Sequence, residues 1–253
     1  MQALFSKVRR RLRWYKGRFQ VNNPIVGRAV EWLGNTVRMD GLIYSVDTPQ
    51  LTRGHKSTLA FGLHEMEERE LIRRWLPPHL PVLEFGGGLG VVSCLTNRRL
   101  THPDRHLVVE ANPAMIPILE RNRDLNACKF SVINRAIAYD CEQIELNVDS
   151  EFVGSTAKDV FFGKSVSVAT TTVRQLMGLT GFAEAGIVAD IEGAEADVIE
   201  RELPQLGDRI RFLMVEMHPA ILGGDRVDCL VHDLRAIGFV LKQQLGDCMF
   251  LAR

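Results

Sequence analysis

The sequence predicts an α/β fold: a doubly wound, mostly parallel seven-stranded sheet that ends in a C-terminal antiparallel hairpin. Short apolar strands alternate with helices from residue 82 to residue 237, which is typical of a parallel sheet covered by helices on both faces. The first of these strands ends in a run of glycines, at the place where open α/β sheets bind ligands. The last two apolar runs flank Gly246-Asp247, so they predict an antiparallel hairpin at one edge.

Each element follows from its own stretch of sequence. Residues 64–75 begin with glutamates and end with arginines, which suits a helix dipole, and Pro77-Pro78 ends that helix. Residues 138–185 are less regular, with β-rich pieces at 143–148 and 166–173. The other predicted elements are strands at 82–85, 106–110, 131–137, 186–191 and 211–217, helices at 90–99, 113–126, from 194 onward and at 225–237, and hairpin strands at 239–245 and 248–252.

Length and composition are those of an ordinary globular α/β chain. Of its 253 residues, 46% are apolar and 25% are charged. No run of about 18 apolar residues predicts a membrane span, and the N-terminus lacks the apolar core of a secretory signal. The five cysteines are scattered and form no C-x-x-C pair, which indicates reduced thiols. We expect a cytoplasmic protein with an N-terminal extension over residues 1–60, containing one helix and a short hairpin, and a main domain over residues 61–253.

Positive charge is concentrated at the N-terminus, although the net charge of the chain is zero. Residues 1–18 contain no acidic residue, and Leu4, Val8, Leu12 and Tyr15 form one stripe of a predicted basic amphipathic helix. Three interpretations are open: a solvated arm, a peripheral contact with an anionic inner membrane surface, and, least favoured, a nucleic-acid contact. The basic residues are Lys7, Arg9, Arg10, Arg11, Arg13, Lys16 and Arg18.

A glycine-rich turn follows the first strand and predicts a cofactor site. Gly86, Gly88 and Gly90 let the backbone approach a ligand closely, and Glu84 stands just before them. Glu110 ends the next strand, where a carboxylate can accept hydrogen bonds from ribose hydroxyls. The spacing is not the dinucleotide fingerprint G-x-G-x-x-G, and a carboxylate at this turn suits the cationic methionine end of S-adenosylmethionine. A dinucleotide site and a purely structural turn remain the alternatives.

A second group of polar residues follows two later strands. Asp190 and Glu192 come at the end of the fourth strand, and Glu216 and His218 come at the end of the fifth. Because alternate strand residues point the same way, each pair is expected on one side of the sheet edge. Glu195 falls in the first turn of the next helix. We expect these residues to share one site, the alternative being that the glutamates serve as helix caps and surface ion pairs.

The order of several segments resembles the FkbM-type methyltransferases over roughly residues 60–250. The most specific segment is Asp190-Ile191-Glu192-Gly193-Ala194-Glu195, and Glu65 looks like the acidic position that the family has before its first strand. Glu84, where the family more often has aspartate, and Gly87, where alanine is usual, depart mildly from the pattern. The other matching segments are 82–90, 108–113, 134–137, Gly154-Ser155-Thr156 and 215–219.

The resemblance implies an S-adenosylmethionine-dependent O-methyltransferase over residues 61–253. It implies that Asn112, Arg135 and Ala136 join the glycine turn and Glu110 in holding the cofactor. The acceptor is then a hydroxyl on a small molecule, sugar or glycan, and no nucleic acid is expected. The alternatives are an NAD-type oxidoreductase and a non-catalytic adaptor with the same fold. The oligomeric state is left open.

Proton removal from that hydroxyl needs a base. His218 is the first candidate, because imidazole titrates near neutral pH, and Asp190 is the second, as a base or as an orienting group. A third route is a divalent cation held by Asp190, Glu192 and Glu216, which polarises the hydroxyl. Glu195 is a further candidate for contacting the substrate or the metal.

Overall fold

The computed structural model describes residues 22–148 and 164–253. The predicted basic helix within residues 1–18 and the segment Gly154-Ser155-Thr156 lie outside these ranges. Within the described ranges, the helices are too short or too polar for any of them to cross a bilayer.

Helices and strands alternate along most of the described chain. The helices are α1 (Pro24–Trp32), α2 (Arg53–Ala60), α3 (Met66–Trp75), α4 (Val91–Arg99), α5 (Ile116–Leu125), α6 (Val173–Thr180), α7 (Glu195–Asp197), a π-helix (Val198–Glu202), α8 (Leu203–Leu206), a 3₁₀ turn (Gly207–Arg209), α9 (Pro219–Leu222) and α10 (Gly224–Ala236). The strands are β1 (Thr36–Met39), β2 (Leu42–Ser45), β3 (Val82–Phe85), β4 (His106–Glu110), β5 (Ser131–Asn134), β6 (Ala136–Ile137), β7 (Gln143–Val148), β8 (Lys164–Thr171), β9 (Ala185–Ala189), β10 (Ile210–Glu216), β11 (Val240–Leu245) and β12 (Cys248–Ala252).

The main sheet has seven strands in the order β11-β12-β10-β9-β3-β4-β5. The five strands from β10 to β5 are parallel, and β12 pairs antiparallel with both β10 and β11. The structure therefore confirms the doubly wound sheet with a C-terminal antiparallel hairpin. This is a Rossmann-like α/β architecture.

The strands at the centre of the sheet are buried on both faces. Every residue of β3, β4 and β9 is buried, as expected when helices cover both faces of a parallel sheet. One large core cluster includes Leu89 and Phe250, and a second includes Phe85 and Leu213. The reversal of strand order falls between β3 and β9, which leaves a crevice at the carboxyl ends of these strands.

Residues 24–60 form the helix, hairpin and second helix that pack on this core. Tyr44 of the hairpin is fully buried, and its hydroxyl donates to the Val91 carbonyl at 3.3 Å. The Asn122 side chain accepts from Ser45 N at 2.7 Å and donates to its carbonyl at 3.1 Å, fixing the same hairpin to α5. Helix α2 begins at Arg53, because the Thr52 side chain caps it by accepting from His55 N.

The region around residues 131–185 differs most from the sequence prediction. The predicted strand at 131–137 is split at Arg135, so that β6 leaves the main sheet and pairs with β8. β7 completes this second, three-stranded sheet by pairing with β8. Val173, predicted to end a strand, begins α6 instead. A capping box formed by Thr172 and Gln175 sets that start.

Candidate functional site

A cleft of about 1050 Å³ opens at the carboxyl edge of the sheet. It lies at the ends of β3, β4, β9 and β10, where open α/β sheets bind their ligands. Its volume is at the upper end of the range for small-molecule sites. Among the described residues that line it, nine carry a carboxyl group, whereas Arg135 is the one lysine or arginine. The acidic lining residues are Glu65, Glu67, Glu68, Glu110, Asp190, Glu192, Asp197, Glu216 and Asp247.

The glycine turn after β3 forms the floor of the cleft at Gly86 and Gly88. Both glycines are left-handed, with φ of 88° and 49°. A Cβ on Gly86 would lie 2.0 Å from the Asp190 carbonyl oxygen, so a side chain is excluded there. Gly90 serves a different purpose: it starts α4, and a Cβ on it would meet Leu119 at 2.9 Å. The structure thus assigns helix packing to Gly90, which is not among the residues that line the cleft.

Glu110 is fixed at the end of β4 by two backbone donors. Gly88 N and Asn112 N each donate to one of its carboxylate oxygens at 2.7 Å. Burial raises the pKa of Glu110, while these backbone donors oppose that rise. Each oxygen keeps a further lone pair, so the carboxylate can still accept hydrogen bonds from a ligand in the cleft.

Three predicted cofactor residues line the cleft beside Glu110. Asn112 stabilises the turn after β4 by accepting from Ala114 N at 3.0 Å. Arg135 donates to the Thr170 carbonyl at 3.1 Å, and Ala136 belongs to β6. The break in the predicted strand at Arg135 therefore brings the second sheet to the edge of the cleft.

Glu84 lies away from the cleft, contrary to its predicted place at the cofactor's methionine end. Its side chain is 1% exposed, and it accepts a hydrogen bond from Ser93 and lies 3.0 Å from His106 Nε2. The reason is its position within β3, where its side chain turns to helix α4 and strand β4 rather than to the strand's end. Glu84 is therefore a buried residue of the sheet that does not line the cleft.

The structure brings the strand-end residues together around His218. Nε2 of His218 lies 3.3 Å from Asp190 Oδ1 and 3.5 Å from Glu192 Oε2. Nδ1 lies 3.3 Å from Glu195 Oε1. Glu216 also lines the cleft, and its ligand atom is within 4.8 Å of those of Asp190 and His218.

This arrangement favours the protonated form of His218. Burial alone would lower its pKa, but the nearby carboxylates of Asp190 and Glu195, each 3.3 Å from the ring, raise the pKa of His218 to about 11. Burial raises the pKa of Glu192 despite the attraction of His218. An imidazolium ion cannot accept a proton, so the geometry disfavours His218 as a base near neutral pH and leaves Asp190, its partner, better suited to that task.

Glu195 stabilises the loop over residues 190–194 and is not among the residues that line the cleft. It is 1% exposed and accepts from Ile191 N and Gly193 N, both at 2.7 Å. These bonds hold the loop in which Glu192 adopts a left-handed φ of 54°. Strained residues of this kind are enriched at functional sites. Glu195 is therefore a positioning residue for Glu192 and His218 rather than a ligand of substrate or metal.

The start of α3 supplies cleft residues that the sequence analysis did not assign to the site. Glu65, noted there for the resemblance, has a left-handed φ of 48°, and His64 Nε2 lies 3.0 Å from its carboxylate. Burial would lower the pKa of His64, but the charge of Glu65 raises it. Glu68 is 4% exposed and faces Glu216. In the sequence, Glu68 belongs to a run of acidic residues at the start of a helix. Such residues usually face solvent and interact favourably with the helix dipole.

We predict that Glu68→Gln stabilises the protein in alkaline solution. Burial and the nearby charge of Glu65 raise the pKa of Glu68 to about 9. The folded protein therefore keeps a proton on Glu68 that the unfolded chain releases above about pH 4.5, so the free energy of unfolding falls as the pH rises above that value. Glutamine removes this loss and should raise the melting temperature at pH 8 but not at pH 4, by about 2–4 °C for each kcal/mol. The control is thermal unfolding of Glu67→Gln, a variant at the neighbouring, half-buried position. Equal melting temperatures for all three proteins at pH 8 would show that Glu68 is not held neutral.

Comparison with known proteins gives similarity in fold only. No protein-family model matches the sequence, and no curated protein matches it. Among solved structures, a ribosomal protein L11 methylase from Lactobacillus delbrueckii subsp. bulgaricus is similar at 15% identity, covering 73% of this chain and 75% of its own, with a TM-score of 0.39. A putative O-methyltransferase from Klebsiella pneumoniae is similar at 14% identity, covering 75% and 79%, with a TM-score of 0.42. An O-methyltransferase from Bacillus cereus in complex with SAH is similar at 12% identity, covering 74% and 78%, with a TM-score of 0.42. Likeness of this degree does not identify an activity or a substrate for this chain.

Proposed function

We propose that the protein is an S-adenosylmethionine-dependent methyltransferase. The observation that carries the proposal is the acid-lined cleft at the carboxyl edge of the sheet, with Glu110 held against the glycine turn. The sulfonium and ammonium groups of S-adenosylmethionine are cationic, so carboxylates attract them. A dinucleotide would instead place its diphosphate among these carboxylates, which costs Coulomb energy. The lining therefore favours the methyl donor over NAD.

The residues present fit this cofactor. Glu110 would accept hydrogen bonds from the ribose hydroxyls, and Gly86 and Gly88 would let the backbone approach the ligand. Asn112, Arg135 and Ala136 would complete the wall beside the nucleoside. When bound, the cofactor supplies a methyl group that is already strongly electrophilic.

The chain's own chemical task is to orient a hydroxyl and remove its proton. We assign proton removal to Asp190, which lies beside the glycine turn and in contact with His218. His218, held as an imidazolium ion between carboxylates, positions Asp190 and balances its charge. Orientation of reacting groups and general base catalysis together account for large parts of enzymatic acceleration.

The acceptor class follows from the charge of the cleft. Carboxylates repel phosphates, so nucleic acids and phosphorylated acceptors are disfavoured. A neutral, hydroxyl-rich acceptor such as a sugar, a glycan or a secondary metabolite fits better. Methylation of such a hydroxyl is also what the resemblance to the FkbM-type enzymes implies. A screen with labelled methyl donor against neutral polyols and glycans tests this directly, with Asp190→Asn as the background control.

A metal-assisted version of the same reaction rests on one specific observation. Asp190, Glu216 and His218 offer ligand atoms that all lie within 4.8 Å of one another. A divalent cation there would require His218 to lose its proton. Chelation separates the two routes: turnover that survives dialysis against a chelator supports Asp190 as a direct base, whereas loss restored by added Mg²⁺ or Mn²⁺ supports the metal.

We predict that Glu110→Ala weakens binding of S-adenosylhomocysteine. Loss of charge-assisted hydrogen bonds to the ribose should cost about 1.5–3 kcal/mol, which is roughly a 10- to 150-fold rise in Kd. Titration calorimetry measures this, and circular dichroism confirms that the variant is folded. Glu67→Ala, which removes a half-buried carboxylate from the lining of the same cleft, should change Kd little. Unchanged affinity in folded Glu110→Ala would refute the ribose assignment.

A further inference from the structure

The surface of α1 carries an apolar stripe that faces solvent. Ile25, Trp32 and Leu33 are 79%, 78% and 80% exposed, and Arg28 and Ala29 are exposed between them. These positions recur at helical spacing, so they form one continuous band, which we call the α1 stripe. The guanidinium of Arg28 lies 5.3 Å from the centre of the Trp32 ring. Single exposed apolar residues are normal, but three large ones along one short helix and its C-terminal cap mark an interaction surface.

The opposite side of α1 fixes the direction of the stripe. Gly27 and Val30 are buried, and a Cβ on Gly27 would lie 2.0 Å from the Arg53 carbonyl oxygen, so α1 and α2 are in close contact. Glu31 adds ion pairs to Arg53 at 3.0 Å and Lys56 at 3.2 Å. The stripe therefore cannot be buried by rotating the helix without breaking this packing.

The chemistry of the stripe and of the adjoining chain fits an anionic lipid surface. Tryptophan and arginine both suit the boundary between lipid head groups and acyl chains. The described chain begins at residue 22, next to α1, and residues 1–18 carry seven basic residues and no acidic one. These charges therefore precede the stripe directly in the sequence. Each basic residue near an anionic surface adds to the attraction, while apolar side chains insert.

Helix α1 lies close to the cleft. α2 packs against α1, and His55 of α2 and Gln50 just before it line the cleft. A membrane in contact with the α1 stripe would thus be separated from the rim of the cleft by helices α1 and α2.

We infer that the α1 stripe and the basic residues 1–18 together dock the protein on an anionic membrane. The apolar residues Ile25, Trp32 and Leu33 enter the interface, and the basic residues hold the acidic head groups. Docking places the cleft next to acceptors that are attached to the membrane, a step that rests on the proposed function. Lipid docking itself does not depend on methyl transfer.

Sedimentation with lipid vesicles tests the inference on the full chain. We expect the protein to bind vesicles of phosphatidylcholine with about one-third phosphatidylglycerol, and to release as salt shortens the Debye length from about 10 Å at 0.1 M to about 3 Å at 1 M. Leu33→Asp should weaken binding at least tenfold, since it places a like charge against the anionic lipid. Leu179→Asp, at a position 70% exposed on α6, is the matched control and should bind as the unaltered protein does.

Three outcomes would overturn the inference. The unaltered protein stays in solution with the anionic vesicles, or both aspartate variants bind equally well. In the third, the protein does not bind vesicles but is a dimer, and Leu33→Asp dissociates that dimer. The stripe would then be a contact between two copies of the chain. Binding of S-adenosylhomocysteine measured on the same samples shows whether the variants are folded, and its absence throughout would count against the proposed function and not against docking.

Discussion

Asp190→Asn is expected to reduce turnover by about 100- to 10,000-fold, the usual cost of removing a general base. Asparagine keeps the size of the side chain but cannot take a proton from the acceptor hydroxyl. Affinity for S-adenosylhomocysteine should change little, because the nucleoside is held by Glu110 and the glycine turn. Single-turnover rates with labelled methyl donor, together with calorimetry, measure both quantities.

Two further variants make this result specific. Asp197→Asn alters the same residue type in the same cleft and should leave turnover nearly unchanged. His218→Gln should lose less activity than Asp190→Asn, because His218 is assigned to position Asp190 rather than to take the proton. A His218 whose pKa is about 11 would, as a base, give a rate that climbs steadily into alkaline solution. We expect kcat to be constant between pH 7 and pH 9. A kcat that rises steadily over this range, together with a larger loss of turnover in His218→Gln than in Asp190→Asn, would indicate that His218 is the base.

Gly88→Val is expected to abolish cofactor binding, raising Kd by at least about 100-fold. Two effects act together. Valine at a left-handed φ of 49° is strongly disfavoured, so the backbone must rotate. That rotation takes Gly88 N away from Glu110, which it holds at 2.7 Å, and the new side chain enters the cleft.

Gly181→Val is the matched control for backbone strain. Gly181 ends α6 with a left-handed φ of 68°, and a Cβ there would meet no atom within 4 Å. It should therefore lower the melting temperature without changing the affinity for S-adenosylhomocysteine. Normal binding by Gly88→Val would remove the glycine turn from the cofactor site.

The sequence was sufficient for features that depend on local pattern and chain order. Alternation of strands and helices predicted the seven-stranded sheet and its hairpin, because burial on both faces imposes continuous apolar runs. The ends of successive parallel strands meet at one edge, so the grouping of Asp190, Glu192 and His218 also followed from the order of elements. Helix α6 was not predicted, although the sequence holds a signal for it: the capping box of Thr172 and Gln175, followed by Gly181.

Features set by contacts between distant residues were not predictable in this way. Glu84 precedes the glycine turn in the chain, yet its side chain pairs with His106, which no local pattern indicates. Glu68 reads as a surface acid and is buried opposite Glu216. The sequence favoured His218 as a base from the ordinary pKa of imidazole, whereas the nearby carboxylates of Asp190 and Glu195 raise that pKa. In each case the environment of the side chain, and not its identity, decides its role.

Calorimetric titration of the purified protein with S-adenosylhomocysteine and with NAD tests the central claim most directly. An acid-lined cleft that holds the methyl donor should bind S-adenosylhomocysteine with a measurable heat, should lose that binding in Gly88→Val, and should show no heat with NAD. Binding of NAD, with none of S-adenosylhomocysteine, would contradict the account.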